Sequence, residues 1–279
     1  MNYRHAYHAG NFADVLKHVV LVALLERLAA KGSALFVLDT HAGRGHYPLG
    51  AAETEKGGEW RRGIGRLQGA AEAPAPVAAY LARVEAAGGG APLRSYPGSP
   101  VLALACLRPE DRAAFCELEH GEAQALRRAL AGDRRAHVHE RDGWEGLGAL
   151  VPPAEKRGLV LIDPPYEAPE EFERLAGALV AAAERWREGV FCAWYPIVHG
   201  SAATRFLARL RESGLRRQLT VELLIERDDS PVGLNGAGLL IVRPPWQLDV
   251  ALAPALEWLH ARLAPEGRGR ARVAWLVPE

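Results

Sequence analysis

Short apolar runs recur along this chain, at Ala34–Leu38, Ala114–Leu118, Ala136–Glu140, Gly158–Ile162, Val190–Tyr195, Thr220–Ile225 and Gly238–Val242. Runs of this length closed by Gly, Pro, Asp or Arg read as buried strands. Helical segments such as Gly121–Ala131 and Pro169–Arg187 lie between several of them. Strands alternating with helices build a parallel sheet with helices on both faces. The last two runs break the rhythm, because only a Pro, Gly and Asn-rich turn, residues 228–236, separates them. That turn is too short for a crossover helix, so the two strands must pair as a hairpin.

The N-terminus adds a helix that starts at Asn11, with Asp14 three residues on, and runs to Ala30 ahead of Lys31 and Gly32. It is apolar around most of its circumference and is therefore expected to be buried. Residues 47–96 do not fit a minimal α/β unit. GGEWRRGIGRL and PAPVAAYLARVEAAGGG read as helices with no strand, with Tyr80, Leu81 and Val84 at helical spacing. The expected organisation is a domain of residues 1–46 and 97–279, with 47–96 as a helical insertion.

Composition narrows the classes. At 279 residues the chain can bury a full α/β core. Its longest apolar run, Val19–Leu25, falls far short of the roughly 20 residues of a membrane span. The first residues, MNYRHAYHAG, carry no secretory pattern, so the expected compartment is the cytosol and no membrane partner is expected. Cys106, Cys116 and Cys192 are scattered without a CxxC pair and read as reduced core residues, with no metal site. Basic and acidic residues balance at 34 each, which argues against a protein that coats nucleic acid. A catalyst that visits one site needs only a local basic patch.

The sharpest chemical signal is Asp163-Pro164-Pro165-Tyr166, directly after the strand Gly158–Ile162. Ligands of open α/β sheets bind outside the carboxyl ends of the strands. Consecutive prolines stiffen the turn and leave carbonyls without a neighbouring N–H. Such a site suits methyl transfer to an aromatic amine, whose lone pair is delocalised into its ring. N–H groups donating to the Asp163 carboxylate and the Pro164 carbonyl would favour a tetrahedral nitrogen and hold it in line with a methyl donor. Tyr166 would stack on a base taken out of its helix. A plain strand-ending turn is the competing explanation, and it is the reading given to Arg243-Pro244-Pro245-Trp246, which lacks the acid.

The loop Asp39-Thr40-His41-Ala42-Gly43-Arg44-Gly45 follows the first strand, where glycines such as Gly43 let backbone approach a cofactor. It lacks the GxGxxG of a dinucleotide site, which argues against a nicotinamide oxidoreductase. Glu117 and Asp142-Gly143 close later strands; the first suits ribose hydroxyls and the second the edge of an adenine ring. At the N-terminus, Tyr3, Arg4, His5 and Lys17 could close over a target base and its phosphates, and Asp14, Lys17 and His18 share the first turns of the helix.

A mostly parallel sheet ending in an antiparallel hairpin is the pattern of Rossmann-like methyltransferases, an analogy that does not by itself fix function. YRHAYHAGNFADVLKH, LDTHAGRGHY, YPGSP, LIDPPYE, WYPI and the terminal WLVPE together resemble the bacterial large-subunit (23S) ribosomal RNA adenine-N6 methyltransferases, from Tyr3 to Glu279. The resemblance implies S-adenosylmethionine as methyl donor and N6-methylation of one adenosine in 23S ribosomal RNA, by a monomer acting on naked or partly assembled RNA. It also implies that Asp163 carries catalysis and borders the cofactor. His18, His41, Ser99, Glu117, Asp142 and Gly143 would line the cofactor pocket, and Tyr3, His5 and Lys17 would contact the RNA or be needed for turnover. The same chemistry on DNA adenine or a protein glutamine stays open on the residues alone, as does a non-catalytic RNA-binding module.

Overall fold

The computed structural model describes residues 5–168, 170–200, 202–227, 230–231 and 233–279. Tyr3, Arg4, Pro169 and part of the 228–236 turn, each named above, lie outside them. Helices α1 (Phe12–Ala29), α2 (Ala52–Gly57), α3 (Ala75–Gly88), α4 (Ser99–Leu104), α5 (His120–Ala129), α6 (Gly143–Leu150), α7 (Glu171–Arg185), α8 (Ala202–Glu212) and α9 (Leu248–Leu263) alternate with strands. The strands are β1 (Leu35–Asp39), β2 (His46–Pro48), β3 (Ser95–Pro97), β4 (Arg112–Glu117), β5 (Ala136–Glu140), β6 (Arg157–Ile162), β7 (Gly189–Val198), β8 (Gln218–Leu224), β9 (Leu234–Val242) and β10 (Arg270–Val277).

Among the described residues one sheet runs β10-β8-β9-β7-β6-β1-β4-β5. From β7 to β5 all neighbours are parallel, while β9 is antiparallel to both β7 and β8, and β10 is antiparallel to β8. The expected α/β class and the β8–β9 pairing are borne out. Two expectations are corrected. The hairpin is not the edge of the sheet: β9 is inserted between β7 and β8, and β10, unforeseen, forms that edge. Residues 47–96 are not free of strand either, since β2 and β3 pair antiparallel at the two ends of this segment. Both are three-residue strands containing proline, and the contact between them, rather than local propensity, makes them strands.

Alternation along the strands divides the core in two. Val37, Phe115, Leu161 and Cys192 face α1, α3 and α9, whereas Phe36, Leu38, Cys116 and Val160 face α6, α7 and α8. Strands covered on both faces read as continuous apolar runs, as here. Helix α1 is apolar all round for a related reason. It lies against β6 and β9 on one side and α3, α4 and α9 on the other, so the segment containing α3 forms a further layer through Val77, Tyr80 and Val84. The Asn11 side chain caps α1, accepting from the backbone N–H groups of Ala13 and Asp14.

One close approach fixes the register of the antiparallel edge. Gly238 stands in the ladder between Tyr195 and Glu222, and the Tyr195 hydroxyl donates to the Glu222 carboxylate at 2.9 Å across it. A Cβ on Gly238 would lie 2.2 Å from the Tyr195 ring. Gly238→Ala is therefore expected to cost about 1–3 kcal/mol of stability, read as a lower denaturant midpoint with an unchanged m-value.

Candidate active site

The strand order arranges the carboxyl ends of β5, β4, β1, β6 and β7 along one edge, where ligands of open α/β sheets bind. A cleft of about 1730 Å³ runs along it, larger than the roughly 300–1,000 Å³ of a pocket for one small molecule. His5, Lys17, His18, His41, Gly43, Ser99, Glu117, Asp142, Gly143, Asp163, Pro164 and Tyr166 all line this cleft, so the structure brings every described site candidate together.

At the end of β1, Asp39 is buried and accepts from the Ser99 hydroxyl at 2.6 Å and the His41 backbone N–H at 3.2 Å. Burial pushes its carboxyl up to about 6, against the lowering effect of the Ser99 and His41 bonds. The Thr40 hydroxyl donates to the Leu161 carbonyl, so the His41 Nδ1–H donates to Thr40 Oγ1 at 2.8 Å and Nε2 is left as an acceptor. The His41 ring meets the Trp144 ring edge-on at 5.4 Å. Gly43 has φ of 64°, and a Cβ there would lie 2.2 Å from the Tyr47 hydroxyl; a Cβ on Gly143 would lie 2.1 Å from the Thr40 carbonyl. Gly143 lets the β5 loop close on the β1 loop, and Gly43 lets the β1 loop fold back against Tyr47.

Glu117, at the end of β4, accepts from the Gly43 N–H at 2.9 Å and the Glu119 N–H at 2.8 Å, and burial raises its pKa. Each oxygen keeps a lone pair for a further donor. Asp142 caps α6, accepting from the Trp144 and Glu145 N–H groups, so its side chain holds a helix as well as bordering the cleft.

At the end of β6, the Asp163 carboxylate receives the Lys17 ammonium at 2.6 Å. The same ammonium lies 2.8 Å from Asp14. Asp14 also accepts from the Gly10 N–H and pairs with His5 at 3.0 Å. Burial alone would raise the Asp14 pKa, but the charges of His5 and Lys17 outweigh it and hold the carboxyl well below the usual range. Burial would likewise discharge Lys17, yet Asp14 and Asp163 hold its pKa well above the ordinary value. Lys17 is only 5% exposed. Its charge faces two carboxylates at the wall of the cleft. Asp14, at helical spacing from Lys17 but given no role in the sequence, is the residue that completes the arrangement.

Tyr166 adopts φ of 52°. Its hydroxyl donates to the Trp194 carbonyl at 2.6 Å, and its ring packs against Phe172 and Trp194 with centroids 4.8 and 5.6 Å away. The ring is thus fixed in place beside Asp163. No described residue donates to the Pro164 carbonyl.

His18 is buried and stacked on Tyr96, whose hydroxyl meets Nδ1 at 2.7 Å, while Nε2 has no partner. Burial lowers the His18 pKa to about 3 and that of His41 to about 4. An unfolded imidazole takes up its proton near 6.5, so each neutral histidine withdraws stability as pH falls from about 6.5 toward its folded value, by up to about 1.4 kcal/mol per pH unit. Asp39 acts oppositely: its folded carboxyl is protonated below about 6 and the unfolded one below 3.8, so it adds stability on acidification through that window. His18→Gln is expected to flatten the acid slope of stability by about 1.4 kcal/mol per pH unit between about pH 6 and 4, measured by denaturant titration at a series of pH values. An unchanged slope would mean that His18 is protonated in the folded chain.

A mainly parallel α/β sheet with a reversed strand beside β7, and a large cleft along its carboxyl edge, define a Rossmann-like methyltransferase. A family model described as "Ribosomal RNA large subunit methyltransferase D, RlmJ" matches residues 32–277, and the chain belongs to that family. It is 38% identical over 279 residues to "Ribosomal RNA large subunit methyltransferase J" of Escherichia coli (strain K12), covering 100% of both chains. It is 39% identical over 280 residues to the protein of the same name from Haemophilus influenzae (strain ATCC 51907 / DSM 11121 / KW20 / Rd), again covering 100% of both. A crystal structure of a Legionella pneumophila str. Philadelphia 1 protein is similar at a TM-score of 0.89 and 34% identity, over 96% of this chain and 98% of that one. No helix among the described residues is long and apolar enough to cross a membrane.

Proposed function

We propose that this chain transfers a methyl group from S-adenosylmethionine to the N6 amine of one adenosine in 23S ribosomal RNA, acting as a monomer on naked or partly assembled RNA. The observation that carries the reading is the Asp163–Pro164 acceptor pair, fixed by the Lys17 ammonium in the middle of a cleft with room for two ligands.

The cofactor end suits S-adenosylmethionine. With Tyr96 donating to Nδ1, His18 presents an unpartnered Nε2–H to an anionic group such as a carboxylate. Glu117 would accept from the ribose hydroxyls, Ser99 and the His41 Nε2 would offer polar partners deeper in, and Asp142 with Gly143 and Trp144 would border the adenine ring. When bound, the cofactor supplies an electrophilic methyl group on a sulfonium.

The chain's own residues act on the acceptor. The adenine N6 hydrogens donate to the Asp163 carboxylate and the Pro164 carbonyl, which turns the nitrogen lone pair toward the methyl group. Tyr166, locked by Trp194, stacks on the flipped base. As the new nitrogen–carbon bond forms, the carbon–sulfur bond would break with its electron pair left on sulfur, and the nitrogen would pass one proton by way of the Asp163 carboxylate to water. Lys17 holds the Asp163 carboxylate in place, while His5 borders the base. Residues 1–46 and 97–279 form the methyltransferase domain in this reading, and 47–96 an insertion that braces the N-terminal arm.

Labelled S-adenosylmethionine offered with unmodified 23S RNA, duplex DNA and a glutamine-containing peptide is the test. Label in RNA that digests to N6-methyladenosine supports the proposal. Label in DNA or peptide instead, or at a ring carbon, would overturn it.

A further inference from the structure

We propose that Arg62, Arg66 and Arg268 form a track for the phosphates of the RNA strand flanking the target adenosine; this rests on the RNA reading above and names where that RNA lies. The sheet order lays the cleft out in sequence. The ends of β5, β4 and β1 carry the cofactor side and β6 carries Asp163. Beyond it come β7, β9 and β8, whose edge residues Trp194, Pro196, Val198, Leu234 and Ile225 continue the same cleft. From β6 to β8 is three strand spacings, about 14 Å, farther than one flipped base reaches. That stretch is available to neighbouring nucleotides.

Its wall is basic. Arg62 directly follows the short 3-10 turn Glu59–Arg61, Arg66 lies in the turn Ile64–Leu67, and Arg268 in the lead into β10. Arg62 and Arg66 are exposed and form no ion pair within 4 Å among the described residues, with Glu59 as the carboxylate that the charge of Arg62 reaches. Arg66 donates to the carbonyls of Arg262 and Leu263 at 3.4 Å each, the last turn of α9, which orients its guanidinium. Arg268 pairs with Glu226 at 3.1 Å. On the opposite rim Arg44 is likewise paired, by two bonds to Glu122, and Arg128 is exposed. Guanidinium groups suit phosphates in a planar, two-bond geometry, and the apolar floor, with Val198 39% exposed, suits stacked bases.

The track is tied to the catalytic end. Glu59 bonds His8 at 3.0 Å and Asn11 at 2.9 Å, and the Ile64 N–H donates to the Gly10 carbonyl at 2.8 Å. Asn11 in turn caps the helix that carries Lys17. The arginine-bearing turns therefore have a fixed place relative to Asp163. In a chain with no net charge, 34 basic against 34 acidic residues, they supply the local patch that RNA binding needs.

The test is fluorescence anisotropy of a labelled, unmodified 23S RNA transcript across a KCl series, with the full chain and its Arg62→Ala/Arg66→Ala variant. The variant is expected to bind about 10-fold more weakly, and its log–log salt slope to be shallower by about 1.4, near 0.7 for each single-strand phosphate no longer neutralised. S-adenosylmethionine affinity and kcat at saturating RNA should stay within about twofold of wild type, and Arg62→Lys/Arg66→Lys should recover most of the affinity. Affinity and slope equal to wild type would overturn the track. Independently of any variant, 4-thiouridine-substituted RNA should cross-link to wild-type peptides spanning residues 60–67; adducts confined to residues 120–129 would overturn it as well. A wild-type chain that shows this salt slope yet methylates no RNA would sink the functional reading and leave the surface standing, so the two failures are distinct.

Discussion

Asp163→Ala is expected to lower methyl transfer about 10²–10³-fold at saturating donor and acceptor, in a chain that remains folded. The carboxylate is the group that receives the amine hydrogens, and the neighbouring Pro164 carbonyl cannot replace it alone. Stability should fall by no more than about 1–3 kcal/mol, because Lys17 keeps its 2.8 Å partner Asp14 when Asp163 is gone. Asp163→Asn retains one acceptor oxygen and should fall between alanine and wild type. Initial rates with labelled donor, beside thermal melts of the same preparations, separate the two effects. Turnover within threefold of wild type in the alanine variant would remove this carboxylate from the chemistry.

Lys17→Ala should have the larger effect on the fold. Lys17 is 5% exposed and its ammonium stands between two carboxylates, so its removal leaves Asp163 without its ion-pair partner and Asp14 with His5 alone. Breaking a buried ion pair by deleting one partner costs about 3–5 kcal/mol. In the variant the Asp14 carboxyl would hold its proton more tightly, so part of the lost stability should return as pH is lowered. The kinetics discriminate between two roles. A lysine that orients Asp163 gives a fall in kcat with little change in KM for RNA, whereas a lysine that grips a phosphate gives a rise in KM with kcat intact. Burial favours the first, and Lys17→Arg, which keeps the charge, should recover part of the lost turnover.

The central strands were legible because burial on both faces leaves an apolar run, and β1, β6 and β7 carry theirs openly. The first helix was legible because the Asn11 cap is a local signal, and the Asp163-Pro164-Pro165-Tyr166 turn because its position after β6 has one structural meaning. What escaped is non-local. The insertion of β9 between β7 and β8 depends on Gly236 and Gly238 admitting neighbours at close range, which no periodicity reveals. Strands β2 and β3 are too short to show a period. RARVAWLV alternates over Arg270–Val273, as an edge strand should, and was the one missed element with a readable signal. At the site, helical spacing put Asp14, Lys17 and His18 together, but the partner that defines Lys17 is 146 residues away. The burial that neutralises His18 and His41 is likewise a property of the packed chain.

A crystal structure of the chain with sinefungin and an unmodified 23S RNA fragment tests the central claim most directly. The account predicts a flipped adenine stacked on Tyr166, its N6 within hydrogen-bond distance, roughly 3 Å, of both an Asp163 oxygen and the Pro164 carbonyl, with the cofactor analogue's amine-bearing carbon facing that nitrogen. An adenine held elsewhere in the cleft, or an Asp163 side chain turned from N6 toward Lys17 alone, would contradict it.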